Sequence, residues 1–126
     1  MDILVVSEDP HFTVAVHDLI GGGENRVVGC LGPANSHCPL EERQACALTA
    51  HSSIVIVDAP PSGSFGRPGH EIPAGTYAER LLAKHPGRLV LLCGATPAAG
   101  ASGEVTHVTD RLSALATVQA LLEARV

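Results

Sequence analysis

The sequence predicts an α/β domain built on a parallel sheet. Three runs carry that prediction: ILVV at 3–6, SIVIV at 53–57 and LVLLC at 89–93. Each is almost continuously apolar and reads as a strand buried on both faces. Segments with helical spacing separate them, and strands alternating with helices mark β-α-β units with helices over both faces of the sheet. A chain of 126 residues, 45% of them hydrophobic, makes one domain, 1–126, with enough apolar mass for a core. Its aromatic fraction is only 2%, so Val, Leu, Ile and Ala must build that core.

The elements follow in order. Ile3–Val6 is the first strand. Asp9 then offers an N-cap, with Pro10 at the first helical position. Phe12, Val16, Leu19 and Ile20 recur at helical spacing, so a helix covers His11–Ile20 and stops at Gly21-Gly22-Gly23. Arg26–Leu31 is the second strand. A second helix is predicted over Cys38–Thr49, opened by Pro39, with Glu41 and Glu42 where the helix dipole favours acids. Ser53–Val57 is the third strand, and the Pro/Gly/Ser-rich residues 59–75 are a long loop. Thr76-Tyr77-Ala78-Glu79 has the form of a capping box, so a third helix is predicted from Tyr77 to His85, stopped by Pro86-Gly87. Leu89–Cys93 is the fourth strand and Val105–Val108 a weaker fifth. Asp110 caps a last helix with Leu112, Leu115, Ala116, Gln119 and Leu122 on one face. Five such strands give a flavodoxin-like doubly wound sheet in the order 2-1-3-4-5. The 11 residues 94–104 barely allow a crossover helix, so the fourth helix is expected to be shortened or missing.

Charge and composition narrow the function. Net charge is −5 with eight Lys and Arg and no basic cluster, which argues against direct nucleic-acid binding by this chain. No apolar run reaches the length of a membrane span, and no signal peptide is legible at Met1-Asp2. Cys30, Cys38, Cys46 and Cys93 include no Cys-x-x-Cys, so free thiols and a cytoplasmic setting are expected. His37, Cys38 and Cys46 fit no common zinc spacing. The glycines at 21–23 follow a helix and lack the Lys-Ser/Thr of a phosphate cradle. Ser7 lacks the glycines of a nucleophile elbow.

In doubly wound sheets the working groups lie beyond the carboxyl ends of the strands. That rule selects Ser7, Glu8, Asp9, Asp58, Cys93, Gly94 and the region of His107. Glu8, Asp9 and Asp58 would converge, and carboxylates that repel one another favour a cation such as Mg²⁺. A carboxylate beside Mg²⁺ can attack phosphorus. The plainer reading makes Asp9 an N-cap and Asp58 a solvent-facing strand end; the pattern alone leaves both open.

ILVVSEDPHF followed by a helix, IVIVDAP, and GASGEVTHVTD followed by a helix resemble the receiver domain of two-component response regulators over nearly the whole chain. The resemblance implies a phosphoacceptor at Asp58 and an Mg²⁺-holding acidic pair at Ser7 and Glu8, or, one residue on, at Glu8 and Asp9. It also implies Cys93 or Gly94 at the Thr/Ser position and His107 at the lysine position. The departures are chemical. A thiol is a weak donor, and a histidine with an ordinary pKa of about 6.5 is no permanent cation. Hence the expectation is a divergent receiver-like signalling domain that acts without phosphorylation and is not an enzyme. It would work through a protein partner or a homodimer, or with a downstream output domain. Two alternatives stand: a genuine phosphoacceptor using Asp58 with Mg²⁺, and a small-molecule-binding regulatory domain whose strand-end crevice and 59–75 loop hold a metabolite. That loop carries Arg67, His70 and Glu71 beside the Asp58 region and reads either as a lid over it or as an insertion with no role.

Overall fold

The computed structural model of the protein describes residues 1–34, 38, 46–66, 68–95 and 103–124. The elements are β1 (Asp2–Val6), α1 (Pro10–Ile20), β2 (Arg26–Cys30), a 3₁₀ turn (Gly32–Ala34) and α2 (Ala47–Ala50). They continue with β3 (Ile54–Asp58), β4 (Ser64–Phe65), β5 (Ile72–Pro73), α3 (Ala74–Lys84), β6 (Leu89–Cys93), β7 (Thr106–Val108) and α4 (Arg111–Glu123). One sheet in the order β2-β1-β3-β6-β7 holds five strands, all parallel. This is the flavodoxin-like order that the sequence predicts, with β6 and β7 as its fourth and fifth strands, and the last helix is in place. The expected shortening of the fourth helix concerns residues 96–102, which lie outside the described residues. So do His37, Arg67, and Pro39, Glu41 and Glu42 of the predicted second helix; of that helix the structure shows Ala47–Ala50, and Cys46, expected inside it, is instead its N-cap in extended conformation.

Period-two alternation sorts the strands into two cores. Leu4, Val6, Val55, Val57, Val90 and Leu92 face α3 and the β4–β5 hairpin. Ile3, Val5, Ile54, Ile56, Leu91 and Cys93 face α1 and α4, which contribute Phe12, Val16, Ile20, Ala114, Leu115 and Val118. Both of these helices start with an aspartate cap. Asp9 Oδ1 accepts from the His11 N–H at 3.0 Å, and Asp110 Oδ1 from the Ser113 N–H at 2.8 Å.

Several expectations change. The loop 59–75 contains an antiparallel hairpin, with Ser64 opposite Pro73 and Phe65 opposite Ile72. Phe65 is fully buried, and its ring packs tilted against the Tyr77 ring with centroids 5.2 Å apart. The third helix begins at Ala74 rather than after Thr76. Its first N–H groups need partners, and the hairpin supplies one: the Ala74 N–H donates to the Gly63 carbonyl at 2.9 Å. On α4 the buried face is Ala114, Leu115 and Val118, while Leu112 is 76% exposed. The preceding residue, Arg111, binds carboxylates across the sheet end, and rolling Leu112 inward would carry Arg111 away from them. Leu19 likewise lies outside the buried face of α1.

Candidate functional site

The site forms where β1, β3 and β6 end. Register places Val6 beside Val57 and Asp58 beside Cys93. Ser7, one residue past Val6, therefore comes level with Asp58. By alternation Ser7, Asp58 and Cys93 share the sheet face covered by α1 and α4. The N-termini of both helices reach this edge, which brings Asp9 and Arg111 to the same place.

Asp58 is 4% exposed. It therefore does not face solvent, and its charge must be met from within. Ser7 Oγ donates to Asp58 Oδ2 at 2.7 Å. Arg111 grips the carboxylate with a fork, Nε to Oδ1 at 3.1 Å and Nη2 to Oδ2 at 2.8 Å. Paired, charge-assisted bonds of this kind are among the stronger side-chain interactions. The third nitrogen, Nη1, donates to Asp9 Oδ2 at 2.9 Å. The guanidinium also lies 4.7 Å over the Phe12 ring. Hydrogen bonding from Arg111, then from the His11 N–H, holds the Asp9 carboxyl below the usual carboxylate range. The same contacts, Asp58 first, raise Arg111 further above its already high value.

The other predicted residues divide. Glu8 turns to the hairpin, where Oε2 accepts from the Gly66 N–H at 3.0 Å. It still lines a cleft of about 340 Å³ with Asp9, Asp58, Pro60, Pro61 and Arg111. Cys93 lines a wider neighbouring cleft with Asp58, Gly94 and Leu112. Burial first, and then the Asp58 charge, push its thiol up to about 11, so it stays protonated at neutral pH. His107 pairs with Leu92 in the ladder, which puts it on the opposite face of the sheet from Asp58. It is exposed and lines neither cleft.

Arg111 is the residue that sequence reasoning missed. One signal was present: an arginine directly after an aspartate N-cap places a cation where the helix dipole disfavours it, and such a residue invites a search for an anion. Arg111 bonds both Asp58 and Asp9, and Glu8 accepts from the Gly66 N–H, so each of the three carboxylates has a protein donor. Among the described residues no group of three or more His, Cys, Asp or Glu is placed to hold a metal ion. The Arg111 guanidinium bonds the Asp58 and Asp9 oxygens that a cation at this edge would take. The chain matches no family model, no curated protein and no solved structure.

Proposed function

We propose that this chain is a divergent, receiver-like regulatory domain of two-component type that works through protein contacts without phosphorylation of Asp58. The observation that carries this reading is the Arg111 fork. A carboxylate attacks phosphorus through a free oxygen lone pair, with a cation drawing charge from the phosphoryl group. Here both Asp58 oxygens accept bonds from Arg111, and Oδ2 also accepts from Ser7. The guanidinium gives the carboxylate a permanent counter-charge, the role a metal would otherwise have. The contact with a protein partner or a second copy, and any output domain, rest on the resemblance to receivers. A cytoplasmic setting accords with four free thiols, and among the described residues no helix is long and apolar enough to cross a membrane.

The test is incubation with acetyl phosphate and Mg²⁺ followed by intact-mass and peptide mass spectrometry. The expected result is no phosphoryl adduct on Asp58. Ready, stable labelling of the unmodified protein would overturn the reading and favour the second one, a working phosphoacceptor. One observation favours that second reading: the Arg111 side chain is 44% exposed, so it has room to swing off the carboxylate.

A further inference from the structure

The opposite end of the sheet carries a cleft with the reverse electrostatics. It has a volume of about 600 Å³, within the roughly 300–1,000 Å³ usual for small-molecule sites. Its walls come from the turn entering β3, the turn entering β6 and the last turn of α4. The protein carries a net charge of −5, yet among the described residues no acidic side chain lines this cleft. Arg88 and His51 do, together with the hydroxyl residues Ser52 and Ser53.

Arg88 is held in place without being neutralised. Nη1 donates to the Pro86 carbonyl at 3.1 Å and Nη2 to the Ala50 carbonyl at 2.8 Å. Both acceptors are uncharged, and no carboxylate among the described residues pairs with it. These two bonds use two of the five guanidinium N–H groups and leave three. A fixed guanidinium with spare donors suits a carboxylate, because little side-chain freedom remains to be lost on binding. The rest of the wall is apolar: Ile54, Leu89, Leu121 and Met1. Leu121 is 39% exposed, a large apolar side chain at the rim.

We propose that this cleft binds a small organic anion, a monocarboxylate with its head on Arg88 and an apolar body against Ile54, Leu89 and Leu121. The site is separate from the Asp58 cluster and does not depend on its reading. The test is amide chemical-shift mapping of the intact protein with three probes: octanoate, octylamine and inorganic phosphate. Octanoate is expected to shift the amides of Ser52, Ser53, Gly87 and Leu89. Arg88→Gln should weaken it about tenfold, the loss of a charged hydrogen-bonding partner. Leu121→Glu places a carboxylate at the exposed rim and should weaken it similarly. That second variant decides the matter if Arg88→Gln, deprived of two carbonyl contacts, fails to fold. Silence at those amides, an equal response to octylamine, or unchanged affinity in the folded variants overturns the proposal. Inorganic phosphate acting as strongly as octanoate also overturns it, because the apolar wall would then contribute nothing.

Discussion

At Asp58 a buried charge depends on one flexible cation. The side chain is 5% exposed, so water contributes little to its solvation, whereas Arg111 is partly open to solvent. Arg111→Ala leaves the carboxylate with Ser7 as its side-chain partner, and should lower stability by about 2 kcal/mol, read from urea unfolding. Asp58→Asn keeps the shape and removes the charge. It should therefore cost less in the Arg111→Ala background than in the wild type, and strict additivity in that double-mutant cycle would contradict the pairing. A second buried group, His85, accepts the Cys46 N–H on Nε2 at 2.9 Å. Burial, then the nearby Arg88 charge, lower its pKa from 6.5. The folded protein thus refuses a proton that the unfolded chain takes up below about pH 6.5. Stability should be full above that pH and fall as pH drops from it toward the lowered value, and His85→Gln should flatten this slope in urea midpoints. Asp58 was legible because a carboxylate closes an apolar run. Arg111 was not, because its partner lies 53 residues away and local rules assign a cation no role at a helix start.

Among the elements, the β4–β5 hairpin shows how a segment that reads as loop can serve as core. Its strands are two residues each, too short for alternation to register. What defines it is a few long-range attachments: Phe65 against Tyr77, Ala74 to Gly63, and Gly66 to Glu8. Phe65→Ala should destabilise the protein by about 3–5 kcal/mol, measured by thermal or urea unfolding. A mere surface insertion would lose far less. The hairpin also explains the misread start of α3, since its first turn takes a donor's partner from Gly63 instead of a side-chain cap. The aspartate caps of α1 and α4 were legible because each is a contact within three residues of sequence. The buried face of α4 was not, because it is set by where Arg111 must reach.

Over the whole molecule, strand order was the most legible feature. Long apolar runs at β1, β3 and β6 must be central, which leaves the weaker β2 and β7 for the edges. The sheet then separates two electrostatic ends. Its carboxyl edge gathers Glu8, Asp9, Asp58 and Asp110 near one arginine, and its amino edge holds Arg88 without a carboxylate partner among the described residues. That division arises from which loops emerge at each end, and no linear pattern in the sequence displays it.

The packing of Tyr77 gives the protein a built-in optical reporter. It is the sole tyrosine in a chain without tryptophan, it is 2% exposed, and its hydroxyl lies 3.9 Å from Cys38 Sγ. Burial, followed by the neighbouring thiols, raises its phenol above the ordinary value of 10.0. The unfolded chain loses that proton from about pH 10 upward while the folded one keeps it, so this contribution to stability drains away as pH rises. Ultraviolet absorbance during alkaline titration should show phenolate appearing only together with loss of circular dichroism. Near-ultraviolet signals at wavelengths above the phenylalanine bands come from a single phenol ring packed against Phe65, so they would record the docking of the hairpin without any introduced label.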